Sequence, residues 1–199
     1  MAEQSHRPII IWLFSGCLLI YFMVVIGGIT RLTHSGLSMV EWSFTGSLPP
    51  MNNDQWQEQF DRYKQFPEYK VLNSDFTLSQ FKNIFWWEYL HRFTGRMIGI
   101  IFLLPFFYFL VRKKFVPGFV KKMLVLLCIG SLQGFLGWFM VKSGLVKNPH
   151  VSHYRLAAHL ITAFAAFGFA FWFALDLIYP KRESNGNKPL FPLLLLQHR

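Results

Sequence analysis

Charged and titratable residues are scarce in the long apolar stretches of this 199-residue chain, and those present gather in two of them. Glu88, His91, Arg92 and Arg96 share one stretch, and His159 stands alone in another. Inside a bilayer such groups are expensive, so they are functional candidates by default. Two histidines on two helices at similar depth suit a metal held between helices. A flat macrocycle such as heme also fits, because imidazole is a common heme ligand. Arg92 and Arg96 carry forked guanidinium groups that match carboxylates on such a ring. Glu88 precedes His91 by three residues and projects from nearly the same helix face. A carboxylate there could act as a base, accept a proton or stabilise a cation. The simpler reading of Glu88 is an ion pair with Arg92 at i, i+4. For His159 it is a lone interhelical hydrogen bond. As a same-depth pair, His91 and His159 favour ligation, and the residues alone do not choose heme over another metal.

Other polar residues carry less. His150 and His153 form an HxxH pair beside Lys147 and Pro149 with no third ligand nearby, and they read as solvated. His34, in Thr33-His34-Ser35-Gly36, reads as a turn. Gln133 sits in an apolar run, where it needs a partner on a neighbouring helix or in the site itself. Gly130 and Gly134 have GxxxG spacing, with Gly137 close by; small residues let membrane helices approach, so these read as packing. There is no phosphate loop, no Ser-His-Asp pattern and no zinc-finger spacing, which leaves hydrolase and nucleotide-dependent readings without support.

The elements that must position these groups are membrane helices. The chain is 53% hydrophobic, 19% aromatic and only 15% charged, against about 25% charged for a soluble domain. Residues 9–29, 97–111, 123–141 and 156–175 are the apolar blocks, and 84–95 extends the second. A spanning helix needs roughly 20 apolar residues, so four spans are expected in one all-α integral membrane bundle. The net charge of +10 does not indicate nucleic acid, because it sits beside the spans. Arg112, Lys113, Lys114, Lys121 and Lys122 crowd the loop between spans two and three, and Lys181, Arg182 and Lys188 follow span four. The positive-inside rule makes both regions, and both termini, cytoplasmic.

The first span is too long for a cleavable signal, and no transit-like segment precedes it. A bacterial inner membrane is therefore expected over a mitochondrial one. Cys17 and Cys128 fall inside spans and form neither a disulfide framework nor a CxxC motif. Span two contains Pro105, which should kink it. The outer loop, about 30–83, is expected to be ordered. Asn53 or Asp54 reads as a helix cap, and Thr77 with Gln80 reads as a capping box leading into span two. Residues 1–180 form the four-helix unit. Residues 181–199 read as a cytoplasmic linker and the start of a fifth span at 189–196.

Four segments resemble a known family. Residues 27–38, from Gly27-Gly28-Ile29-Thr30-Arg31 to Ser38, look like the glycine-rich end of the first span in heme A synthases. Trp87-Glu88-Tyr89-Leu90-His91-Arg92 resembles their ExxHR segment. Leu132-Gln133-Gly134 through Ser143-Gly144-Leu145 resembles their third-span motif, and Tyr154-Arg155-Leu156-Ala157-Ala158-His159 their fourth-span histidine motif. The match covers nearly residues 9 to 180. It implies oxidation of a methyl substituent of heme O to a formyl group, giving heme A for terminal oxidases. It further implies that His91 and His159 ligate the heme iron and that Glu88 is the catalytic carboxylate. Two successive hydroxylations at one carbon would give a geminal diol, which loses water to an aldehyde.

Two departures accompany the resemblance. The first outer loop lacks the cysteine pair of some bacterial members, which points to the subgroup without it. Only the first of the family's two four-helix halves is present; the second carries its own heme b. A separate second half or a second copy of the chain is the expected completion. Heme O synthase and terminal oxidase assembly factors are expected associates, and nucleic acid is not. The competing readings are a non-enzymatic bis-histidine membrane cytochrome or heme carrier, and an inactive fragment that still packs as a bundle. Glu88 separates enzyme from carrier, because an electron carrier needs no carboxylate one turn from a ligand.

Overall fold

A computed structural model describes residues 6–40, 46, 48–144 and 152–179. Its regular elements are six helices: α1 (Arg7–Leu32), α2 (Asn53–Tyr63), α3 (Pro67–Leu72), α4 (Leu78–Val111), α5 (Phe119–Gly144) and α6 (His153–Ile178). Four of them, α1, α4, α5 and α6, are long and apolar enough to cross a membrane, as the block pattern predicts. The 181–188 linker, the 189–196 apolar segment and His150 lie outside the described residues.

Local chemistry sets the helix ends. Pro8 occupies the first turn of α1, where its missing N–H has no partner to lose. At the other end His34 takes a left-handed conformation (φ 52°), and the Ser35 N–H donates back to the Thr30 carbonyl at 2.9 Å. This is the left-handed stop that glycine usually supplies, and the predicted turn is there. The Thr77–Gln80 capping box is present, with the Thr77 N–H donating to Gln80 Oε1 at 2.8 Å. For α2 the expectation is one residue late. Asn52, extended at φ −136°, accepts from the Gln55 N–H at 2.9 Å, and Asn53 is already helical. A cap must sit outside helical geometry while its side chain reaches the first turn, and Asn52 alone does both. Pro105 lies inside continuous helical backbone.

The spanning helices form an arc. Helix α1 packs on both α4 and α6, and α5 packs on α6, while α4 and α5 barely meet. Two aromatic-rich cores result. One sits at the end that holds the start of α1 and the α4–α5 turn, where Ile9, Trp12, Leu13, Phe106, Phe109, Phe119, Met123 and Phe173 are buried. Lys122 Nζ and Asp176 Oδ2, 2.5 Å apart, tie α5 to α6 there. The other core lies in a cap built from the α1–α4 connection and the first turns of α4. It buries Met39, Trp56, Phe60, Tyr63, Phe81, Ile84 and Phe85. The cap explains why α4 has 34 residues, about 51 Å at helical rise: its first turns belong to the cap and not to the bundle.

Between the two cores the interior is thin. Helix α1 has no buried residue between Cys17 and Thr30, and α4 has none between Glu88 and Phe106. Helix α5 has none beyond Leu126. The GxxxG reading needs correction here. A methyl group on Gly130 or Gly134 would meet nothing within 4 Å, so among the described residues neither glycine makes a close helix contact. The close approach is at Gly137, where it serves a histidine.

Candidate functional site

The thin layer holds the residues singled out by chemistry. Helix α4 carries His91 there, and α1 presents Gly27 to it: an added Cβ would stand 3.2 Å from His91 Nε2. Helix α6 carries His159, and α5 presents Gly137, whose added Cβ would stand 3.2 Å from His159 Cε1. Each imidazole thus fills the space of a missing side chain on a neighbouring helix.

Gln133, one turn before Gly137, finds its partner in the site: its amide Nε2 is 3.3 Å from His159 Nε2. The contact leaves Gln133 Oε1 and His159 Nδ1 buried without a partner. Buried polar atoms are nearly always paired, so these two adjacent exceptions leave hydrogen-bonding capacity open to a further partner. Among the described residues, no three or more His, Cys, Asp or Glu side chains group to hold a bare metal ion. Two imidazoles from opposite helices suit instead a metal whose other positions a planar ring already fills. The residues present therefore fit a heme.

Glu88 is 2% exposed and fully engaged. One oxygen accepts from Arg92 Nη2 in a close ion pair. The other accepts from Ser38 Oγ at 2.7 Å and the Met39 N–H at 2.6 Å. Arg92 also donates to the Met39 carbonyl at 3.0 Å. The ion pair expected from i, i+4 spacing thus exists, and the segment after α1 folds back to close it. Arg96 turns toward the cap, its guanidinium against Gly46, where an added Cβ would stand 3.2 Å from it. Gly46 has φ +87°, a conformation suited to glycine. His34 and His153 are exposed and take no part.

Sequence reasoning missed two features. Ser38 and the Met39 backbone clamp Glu88; Ser38 closes the glycine-rich motif, so a signal for it existed. The other is a polar cluster inside the cap: Tyr63 Oη donates to Glu68 Oε2 at 3.1 Å, and Asn73 Nδ2 donates to Tyr63 Oη at 2.7 Å. Glu68 is 4% exposed. Burial and then the nearby Glu88 charge push its carboxyl up to about 8, against the opposing effect of the Tyr63 bond. Burial, followed by the Glu68 charge, also raises the Tyr63 phenol. Nothing in the spacing of these residues announces the cluster.

A profile of the cytochrome oxidase assembly protein family matches residues 10–197. The heme A synthase of Flavobacterium johnsoniae is 54% identical over 191 residues, covering 94% of this chain and 56% of that protein. That of Nitrosospira multiformis is 52% identical, covering 95% of this chain and 53% of that protein. That of Paramagnetospirillum magneticum is 48% identical, covering 93% and 52%. The chain spans about half the length of the curated relatives it matches. No solved structure matches it.

Proposed function

The chain belongs to the cytochrome oxidase assembly protein family, and from that premise we propose that it forms the substrate half of a heme A synthase. The reaction is oxidation of a methyl group of heme O to a formyl group. The observation that carries the reading is the pair His91 and His159, each backed by a glycine of the next helix, in the one layer of the bundle without a packed core.

Heme O enters as the substrate, and its iron binds between the two imidazoles. Arg92 and Arg96, on the cap side of that layer, serve the ring carboxylates. Each of the two successive hydroxylations of the methyl carbon takes up one water, passes two electrons to an external acceptor and releases two protons, and positive charge develops on the carbon as the electrons leave. Glu88, three residues before His91, is the buried carboxylate that offsets the charge and accepts a proton. The clamp by Ser38, Met39 and Arg92 holds it in one orientation before substrate arrives, which is how an active site avoids reorganising during reaction. The membrane is a bacterial inner membrane with both termini cytoplasmic, as the basic loop at 112–122 indicates.

The test is chemical. The chain is expressed in membranes that make heme O but no heme A, and the extracted hemes are separated by chromatography. Hydroxylated heme O or heme A is the expected product. Replacing Glu88 with Gln should abolish conversion while heme remains bound. Undiminished product from that variant removes Glu88 from the chemistry. Heme bound by the wild type and never converted supports the second reading, a bis-histidine heme carrier. The Glu88–Arg92 ion pair is the observation that favours it, because the pair gives Glu88 a structural role without catalysis.

A further inference from the structure

The two histidines of the proposed heme site are not equivalent. Among the described residues, nothing hydrogen-bonds to either ring nitrogen of His91, whose Nε2 lies 3.2 Å from the place of a Cβ on Gly27. His159 is held by Gln133 through Nε2, at 3.3 Å. The amide can sit either way round, donating to the ring nitrogen or accepting from it. In both cases Nε2 is occupied. The remaining polar atom of each partner, Gln133 Oε1 and His159 Nδ1, is buried and unpaired. The arrangement is thus half-satisfied, and it is easily exchanged for a better one.

We propose that Gln133 competes with the heme iron for His159, so that His91 is the firm axial ligand and His159 the displaceable one. The inference rests on the heme-site reading above. It follows from the geometry that Gln133 is a positioning residue acting through His159. When iron binds His159, the amide lets go; when the amide recaptures the ring, an iron position opens. Gly137 keeps α5 close enough to α6 for the amide to reach. A firmly held pair would leave no open position, whereas this pair has one built in. Among the described residues, no side chain hydrogen-bonds His91 in the same way.

The test uses the full chain in detergent, loaded with hemin and titrated with cyanide, which binds only at an open iron position. Loaded wild-type protein should give the low-spin spectrum of two axial histidines. Gln133→Leu should lower cyanide affinity about fivefold, the size of one interhelical hydrogen bond in a membrane. The shorter amide of Gln133→Asn cannot reach the ring and should give the same shift, which controls for altered packing. In a His159→Ala background the iron position is already open, and changing residue 133 should then have no effect. Equal cyanide affinity in wild type and both Gln133 variants overturns the proposal. So does a shift that persists in the His159→Ala background. A wild-type chain that gives no low-spin hemin complex instead overturns the heme-site reading, and this inference with it.

Discussion

The cap and the middle layer of the bundle adjoin along α4 and are built on opposite plans. In the cap, Phe81 is fully buried and stacks on both Phe60 and Tyr63 at 5.1 Å between ring centroids. In the middle layer the same helix turns to Glu88, His91 and Arg92; α1 answers His91 with Gly27, and α5 answers His159 of α6 with Gly137. One region gains stability from dense aromatic packing. The other has few buried residues and sets each imidazole against a glycine of a neighbouring helix. The difference separates residues that hold the fold from residues that would hold a ligand, although both lie within a few turns of one helix.

The largest effect that tests this contrast is on stability. Phe81→Ala should cost about 3–5 kcal/mol, read as loss of helix signal during thermal or denaturant unfolding in detergent. His91→Ala, in the thin layer, should shift the same transition by less than about 1 kcal/mol while eliminating low-spin hemin binding. Equal stability losses from the two variants would break the contrast.

Glu88→Gln comes next. It leaves Arg92 buried beside a neutral amide, and removing one member of a buried ion pair costs on the order of 3 kcal/mol. Replacing both partners, Glu88→Gln with Arg92→Met, should restore part of that loss in the same unfolding assay. No recovery in the double variant would show that the Ser38 and Met39 bonds, and not the ion pair, carry the stabilisation.

The cap also predicts a pH dependence. Glu68 has its carboxyl raised from 4.5 to about 8 in the folded protein. Between those values the folded state keeps a proton that the unfolded state has lost. Stability therefore falls as pH rises from about 4.5 to about 8 and levels off above, by on the order of 1 kcal/mol per unit at most. Glu68→Gln should remove this slope in unfolding midpoints measured across that range. A slope that survives the substitution would mean that another group titrates there.

The smallest effect sits at the junction of α1 and the cap. His34 holds a left-handed conformation at φ 52°, where glycine carries no steric penalty. His34→Gly should raise stability by about 0.5–1 kcal/mol, with hemin binding unchanged. A loss of stability would show that the His34 side chain contributes contacts that outweigh the strain.

Much of the fold was legible because bilayers impose simple rules. Uncharged blocks of sufficient length must be helices, and the four spanning helices fall on them. The Thr77–Gln80 box and the turn at His34 were readable because capping is local chemistry. The i, i+4 spacing of Glu88 and Arg92 carried their ion pair. The cap of α2 was placed one residue late because Asn52, Asn53 and Asp54 are all competent cap residues, and only backbone geometry selects among them.

Sequence by itself determined the four spanning helices, the Thr77 cap and the identity of the candidate site residues, since each depends on composition and on neighbours within a turn or two. Tertiary structure decided what those residues face. Gly27 and Gly137 look like ordinary packing glycines until α1 meets α4 and α5 meets α6, when each proves to be room for an imidazole. Gly130 and Gly134, with the better motif, have no side chain or backbone of another described segment within 4 Å of an added Cβ. Ser38 and Met39 reach Glu88 across 50 and 49 positions of chain, and Gln133 reaches His159 across 26. Glu68 became a buried acid only once the cap closed over it. Contacts between distant segments depend on how whole helices pack, and helix packing is a property of complementary surfaces that no local pattern encodes.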